Sequence, residues 1–84
     1  MMDFKERIII EEKGILEFSF TQIYTVKGII FFVGVIDANH KVFTFSMIEN
    51  PSNNQWKIIT APGLPGWIIK VEEKLSEAIN KNID

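Results

Sequence analysis

The residues of this chain that could do acid–base or metal chemistry are few and widely separated. His40 is the only histidine among the 84 residues, and there is no cysteine, so a metal site or a thiol nucleophile lacks the partners that it needs. The acidic pairs Glu11-Glu12 and Glu72-Glu73 are adjacent in sequence. Adjacent side chains on a strand or helix diverge, whereas paired acid–base catalysts must converge on one substrate. We therefore expect solvated charges at these positions.

Asp37 is the most site-like acid, because it ends a long apolar stretch where burial could tune a carboxyl group. An Asp at such a boundary also commonly opens a turn. The serines lack the context of a nucleophile elbow, and the sequence contains no GxxxxGK[ST] or GxGxxG motif. We therefore predict no catalytic residues, no metal and no cofactor, and we expect that the protein is not an enzyme.

Charge and hydropathy limit the classes of partner. The chain has nine Lys and Arg residues, eleven Asp and Glu residues and a formal net charge of −2, with the basic residues scattered singly. Nucleic-acid binding is unfavourable without a basic cluster, unless the fold gathers Lys27, Lys41 and Lys57. The uncharged apolar run from Gly28 to Ile36 is about half the length that a membrane-spanning helix requires. The start of the sequence lacks a signal-peptide core, so we expect a cytoplasmic protein with no membrane association.

The length supports one small domain over residues 1–84. In its first part, Gly14 ends the loop EEKG and separates two apolar segments, which predicts a hairpin. After this loop, alternation puts Leu16, Phe18 and Phe20 on one face and polar residues on the other, as in a half-buried antiparallel strand. Residues 3–12 are ambiguous between strand and helix, and the run of three isoleucines favours a strand.

Further strands follow at 28–37, at KVFTFSMI and at WKIIT, separated by polar turns. The segment APGLPG then ends the sheet, because proline lacks the N–H group that a strand ladder needs. From Trp67 onward the apolar residues form one helical stripe, from which Ile69 alone deviates. We therefore predict an α+β fold: an antiparallel meander of four to five strands followed by one C-terminal amphipathic helix on one sheet face.

The segment KGIIFFVGVID raises a difficulty, because it is apolar at odd and even positions alike. One helix can cover one face of the sheet, which leaves the second row of this strand without an intrachain cover. Exposing several such side chains forfeits about 1.5–3 kcal/mol each. The N-terminal segment, curling of the sheet or a second copy of the chain could provide the cover, and we favour a homodimer. The candidate interface residues are those of either row: Ile30, Phe32 and Ile36, or Phe31 and Val33.

The order of a strand meander followed by a helix resembles the plan of PC4-type, PUR-repeat and whirly single-strand-binding domains. That resemblance concerns element order only, and it implies dimerisation and single-stranded nucleic-acid binding. Independently of it, the aromatic residues Trp56, Tyr24 and Phe32 are candidate stacking side chains on an exposed sheet face. The acidic balance of this chain departs from the basic sheet faces of those domains. Our first expectation is therefore a non-catalytic protein-interaction module, with nucleic-acid binding as the alternative.

Overall fold

A five-stranded antiparallel sheet and two helical segments make up the protein, in a computed structural model that describes residues 2–59 and 62–83. The elements are β1 (Asp3–Ile10), β2 (Gly14–Thr25), β3 (Gly28–Ile36), β4 (Val42–Asn50), β5 (Gln55–Ile59), α1 (Gly66–Ile69) and α2 (Glu72–Asn82). Each strand pairs with the next in sequence order, which confirms the predicted α+β plan. Thr60 and Ala61, where the last predicted strand ends and the proline-rich segment begins, lie outside the described residues.

The N-terminal segment is a strand, not a helix. Its even-numbered residues face the interior: Ile8 and Ile10 are buried, while the side chain of Ile9 between them is 65% exposed. Phe4 stacks on Phe20 of β2, with ring centroids 4.6 Å apart. This period of two is the strand pattern, and it explains how three consecutive isoleucines serve both faces of the sheet.

The loop between β1 and β2 forms where the sequence predicts it. Glu12 and Gly14 both have positive φ, 72° and 83°, and the N–H of Lys13 donates to the carbonyl of Ile10 at 3.0 Å. Glycine adopts this region without a steric penalty, so Gly14 permits the sharp reversal into β2. The reversal sets the register of the pair, in which Ile8 lies opposite Leu16 and Phe4 opposite Phe20.

The core lies between one face of the sheet, here called the inner face, and the helices. Phe18, Phe20, Phe31, Val33 and Met47 are at most 1% exposed on the inner face, and they pack with helical residues in one cluster. The helical residues of that cluster are Ile68, Val71, Leu75, Ala78 and Ile79. The predicted apolar stripe of the helix is thus the surface that closes the core.

The sheet curls around α2. On one side of the helix, the hydroxyl of Ser76 accepts a hydrogen bond from the N–H of Trp56 on β5 at 2.8 Å. On the other side, Lys81 Nζ lies 3.1 Å from Glu6 Oε1 on β1. Flat sheet edges four strand spacings apart would be about 19 Å from each other, wider than a helix of about 10 Å. Because one helix reaches both edge strands, the inner face is concave and the opposite face, here called the outer face, is convex.

The single continuous helix predicted from Trp67 is wrong in one detail, because the structure divides it into α1 and α2. Val71, between them, has φ −102° and ψ 13°, outside the helical range, and its N–H donates to the carbonyl of Ile68. Ile68 and Val71, on either side of the end of α1, are both buried in the core. Ile69, which does not fit the stripe, is 44% exposed at the end of α1.

The difference between neighbouring residues of β3 yields a direct test. We expect Phe31→Ala to lower the free energy of unfolding by about 3–5 kcal/mol, because it opens a cavity in a closed core. Phe32→Ala, the matched control on the opposite face, should cost less than about 1 kcal/mol in dilute solution. Urea denaturation of both variants measures the difference, and equal losses would contradict the assignment of the two faces.

Candidate interaction surface

The outer face of the two central strands carries no charged side chain. Along β3 its residues are Gly28, Ile30, Phe32, Gly34 and Ile36, and along β4 they are Val42, Thr44, Ser46, Ile48 and Asn50. Several of these side chains are large and apolar, and Phe32 is 42% exposed and Ile48 44%. A strip with this composition, two strands wide, is typical of a surface that is covered by another molecule.

Strand register arranges the apolar side chains of the outer face in two groups. In the first group, Ile23, Ile30 and Ile48 form one cross-strand row, with Phe32 in the next row. In the second group, Ile36 lies opposite Val42, and these residues are 58% and 60% exposed. The two groups lie on either side of Gly34, which is opposite Thr44 on β4 and Ser19 on β2.

Three of the five candidate interface residues belong to this surface. Ile30, Phe32 and Ile36 project from the outer face, because even-numbered positions of β3 point away from the helices. Phe31 and Val33 are both 0% exposed in the core, so they are unavailable to a partner. The structure thereby identifies which row of the doubly apolar strand is left uncovered by the described part of the chain.

Gly34 lies at a depression in the outer face, two residues along β3 from Phe32. A shallow cavity of about 390 Å³ opens there, lined by Ser19 and Gly34 and by Lys5, Glu17, Val35, Ile36 and Val42 around them. A Cβ atom added at Gly34 would lie 3.8 Å from Thr44 Cγ2, an ordinary contact distance. Lack of space for a side chain therefore does not explain why this position is glycine. Sequence reasoning overlooked Gly34, although a glycine inside a strand is itself a signal of close approach by another group.

Charged residues of the outer face lie on its flanks. Arg7 of β1 and Glu17 of β2 approach to 3.9 Å as an exposed pair, which contributes little to stability. Lys57 of β5 lies 3.5 Å from Glu72 of α2. The uncharged strip is thus bordered by polar groups on both sides, as in an interface with an apolar centre and a polar rim.

The β5 edge of the sheet is closed by side chains of α2. Ser76 accepts from the N–H of Trp56 at 2.8 Å, and the carboxylate of Glu72 accepts from the N–H of Ile58 at 2.9 Å. Asn80 accepts from the indole N–H of Trp56 at 3.1 Å and donates to the carbonyl of Asn54 at 2.9 Å. These contacts occupy the N–H groups that an edge strand would otherwise offer to another chain. The sequence contains no pattern that pairs these helix residues with β5.

Asp37 and His40 serve the turn between β3 and β4. The carboxylate of Asp37 accepts from the N–H groups of Asn39 and Lys41, both at 2.9 Å. His40 has a positive φ of 64°, is exposed, and donates its backbone N–H to the carbonyl of Asp37 at 3.0 Å. Two backbone bonds to one carboxylate form an Asx-type turn, so the chemistry of Asp37 here is structural.

The acidic pairs diverge, as their adjacency predicts. Glu72 points to β5, whereas Glu73 is exposed, and Glu11 and Glu12 are both exposed in the first loop. Within residues 2–59 and 62–83, no three His, Asp or Glu side chains come close enough together to hold a metal ion.

The three candidate stacking side chains do not share a surface. Trp56 is 3% exposed, with its ring edge-on to Phe31 at 5.1 Å in the core. Tyr24 lies on the inner side of the sheet, beyond the helices, and only Phe32 lies on the outer face. A single-strand platform needs several aromatic rings along one path.

The three lysines that could have formed a basic cluster are separated. Lys27 precedes β3 and Lys41 follows it, so the nine-residue strand puts them roughly 30 Å apart. Lys41 lies over the ring of Phe43 at 5.3 Å, and Lys57 pairs with Glu72. This arrangement does not form the continuous positive surface on which phosphate binding depends.

Trp67, considered as an aromatic anchor in APGLPGW, is half-buried against the protein itself. Its ring is edge-on to Phe43 at 5.6 Å, and Lys13 Nζ lies 5.0 Å from its centroid. The contacts fix α1 to the end of the sheet that carries Phe43. Trp67 therefore acts at the boundary of the core.

No protein-family model matches this chain, and comparisons with curated proteins and with solved structures find no match. In the described part of the chain, none of the helical segments has the length and apolar character needed to cross a membrane.

The cap on β5 can be tested at Ser76, which is 5% exposed. We expect Ser76→Ala to cost about 1–3 kcal/mol, because it leaves the N–H of Trp56 buried without an acceptor. The amide of Trp56 should also exchange with deuterium faster than in the parent protein. Glu73→Ala, an exposed change on the same helix, is the control and should alter neither quantity. Unchanged exchange at Trp56 in the Ser76 variant would show that the hydroxyl does not protect this edge.

Proposed function

We propose that this protein is a non-catalytic interaction module that forms a homodimer through the outer face of its sheet. The observation that carries the proposal is the uncharged strip on β3 and β4, in which the exposed side chain of Phe32 and the depression at Gly34 lie two residues apart on one strand. The strip lies on the face opposite the helices, where no element formed by residues 2–59 and 62–83 covers it.

The energetic argument follows from the size of the domain. Phe32, Ile48 and Ile59 lie on the adjoining strands β3, β4 and β5, and they are 42%, 44% and 47% exposed. Complete burial of one such side chain contributes about 1.5–3 kcal/mol, and these residues would gain the part that is still exposed. Covering the group is therefore worth a sizeable fraction of the roughly 5 kcal/mol margin of a small domain.

A second copy fits the strip because the strip is complementary to itself. Consider a two-fold axis that lies between the two stacked sheets, perpendicular to the strands, and passes over β3 midway between Phe32 and Gly34. Rotation about this axis sets each Phe32 above the partner's Gly34. The same rotation sets Ile30 above the partner's Ile36 and Ile48 above the partner's Val42, since the paired rows are equidistant from the axis. A face shared by both copies in this way is the geometry of a two-fold dimer, and aligned sheets pack at about 30° to each other.

The area of the face is sufficient for a small dimer interface. Five strands about 4.8 Å apart and nine residues that rise about 3.4 Å each give a footprint of roughly 600 Å². Standard interfaces bury roughly 600–1,000 Å² per partner. Because the face is convex, contact concentrates on β3 and β4 and buries less than this full footprint, so we expect a weak dimer that dissociates on dilution.

A non-catalytic role agrees with how the polar side chains are used. Asp37 holds a turn, Glu72 and Ser76 cap β5, and Asn80 anchors Trp56. Each of these four side chains is already hydrogen-bonded to another part of the fold.

Phe32→Glu should abolish the face-to-face contact and leave the chain folded, because it buries a charge at the centre of that interface. Light scattering across a concentration series measures the change, and circular dichroism checks the fold. Tyr24→Glu is the matched control, since it adds the same charge at an exposed aromatic residue off the outer face, and it should still dimerise. Parent protein that stays monomeric at the highest concentration would overturn the proposal, and retention of single-stranded oligonucleotides at low salt would favour nucleic-acid binding instead.

Gly34→Val separates the interface from the fold. The backbone of Gly34 is extended and its surroundings admit a Cβ atom, so a β-branched residue should maintain or raise the stability of the single chain. The added methyl groups fill the depression that receives the partner's Phe32, so the dissociation constant should rise about tenfold or more. Urea denaturation and light scattering on the same samples give the two values. A variant that is less stable but dimerises unchanged would contradict the proposed packing.

A further inference from the structure

The β1 edge of the sheet has outward-facing backbone groups. The carbonyl of Met2 accepts from the N–H of Gln22 at 2.8 Å, which shows that even-numbered residues of this segment bond to β2. Backbone groups alternate along a strand, so the N–H and C=O of Asp3, Lys5 and Arg7 point away from the sheet. The side chains of these three residues are exposed on the outer face.

The two edges of the sheet differ in how many of their outward backbone groups are hydrogen-bonded to α2. On β5 the outward N–H groups of Trp56 and Ile58 both have acceptors from α2. On β1, among the residues that the structure describes, α2 reaches one outward backbone group, the carbonyl of Ile9, which accepts from Lys74 Nζ at 3.2 Å. The stretch from Asp3 to Arg7 is therefore open for pairing with another strand.

We infer that β1 pairs antiparallel with β1 of a second copy, in the register that sets Asp3 opposite the partner's Lys5. The two-fold axis then passes through Phe4. Asp3 and Lys5 of each copy form two symmetric pairs of opposite charge on the outer face, and their outward N–H and C=O groups form four interchain hydrogen bonds.

Charge selects this register over its neighbours. A shift by one pair sets Lys5 opposite the partner's Lys5 and Phe4 opposite the partner's Glu6, both of which are unfavourable. The same shift sets Asp3 opposite Arg7, which is favourable. A further shift sets Lys5 opposite Arg7 and Glu6 opposite Glu6. A shift in the other direction sets Asp3 opposite Asp3. Like charges directly opposite each other destabilise an antiparallel pair, so of these four registers only the inferred one is free of such a contact.

Phe4 connects this pairing to the core. It is half-buried, stacked on Phe20 at 4.6 Å and edge-on to Phe31 at 5.9 Å, at the margin of the aromatic cluster. In the inferred register the two Phe4 residues meet across the axis at a non-hydrogen-bonded pair, where side chains lie closest. The remaining exposed part of each ring is then covered by the other, and the two cores become continuous.

This pairing is independent of the proposed face-to-face dimer, because it uses a strand edge and not a sheet face. A chain with two different two-fold contacts can link dimers into larger assemblies. Because α2 already closes β5, β1 is the edge at which the sheet can be extended.

Disulfide trapping tests the register, and the absence of native cysteine removes any background. Asp3→Cys and Lys5→Cys are made separately in the Phe32→Glu background, so that the face-to-face contact plays no part. Residues opposite each other in a hydrogen-bonded pair have Cα atoms about 5.5 Å apart, within the range that a disulfide spans. Mixing the two variants under mild oxidation should give about tenfold more mixed dimer than mixing Lys5→Cys with the loop control Asn53→Cys.

The outcomes distinguish the alternatives. Mixed Asp3–Lys5 disulfides above the control, with little homodimer from either variant alone, support the inferred register. Yields equal to the loop control, or preferred crosslinking of Asp3→Cys to Arg7→Cys, overturn it. A negative crosslinking result would not count against the face-to-face dimer, because Phe32→Glu removes that contact from every protein in this experiment.

Amide exchange gives a second measurement without cysteines. In the Phe32→Glu protein, raising the concentration should slow deuterium exchange at Lys5, whose N–H points outward, while Phe4, already bonded to β2, should change less. Exchange at Lys5 that is independent of concentration overturns the inference.

Discussion

The rest of the structure depends on one constraint: two short C-terminal helical segments, of which α2 has eleven residues, must close the core of a five-stranded sheet. They can do so because the sheet curls until β1 and β5 both reach α2, with Ser76 bonded to Trp56 on one side and Lys81 paired with Glu6 on the other. The curl gathers Phe18, Phe31 and Met47 beneath the helix, where they lose all contact with water. The same curl turns the second row of β3 to the convex side, and no element of the described chain covers it there.

The edges of the sheet follow from the same arrangement. Because α2 runs close to β5, its short polar side chains reach the backbone of that strand, and Glu72, Ser76 and Asn80 close the edge in addition to packing the helix. On β1 the helix contributes long lysine side chains, which reach a carbonyl of Ile9 and the carboxylate of Glu6. Protection by buried hydroxyl and carboxylate groups is specific, whereas protection by flexible lysines leaves most of the β1 edge open.

Much of the fold could be predicted from the sequence, because β2 and β4 alternate clearly between apolar and polar residues and the helical residues form one stripe. The outer row of β3 could not be identified, since Phe31 and Phe32 are equally apolar and only their pairing with Met47 and Ser46 on β4 distinguishes them. The break at Val71 could not be predicted from the sequence, because both helical segments bury apolar residues. Ser76 was not recognisable either, because its role depends on a strand twenty residues earlier. The homodimer and the absence of catalysis remain predictions.

The central claim is that the outer sheet face joins two copies of the chain with Phe32 seated on Gly34 of the other copy. Isotope-filtered nuclear Overhauser spectroscopy on a mixture of labelled and unlabelled chains tests it most directly, because it detects only contacts between molecules. The account predicts intermolecular signals from the Phe32 ring to the α-protons of Gly34, accompanied by signals between Ile30 and Ile36. Intermolecular signals confined to other surfaces, or their complete absence at concentrations where the chain scatters light as a dimer, would contradict it.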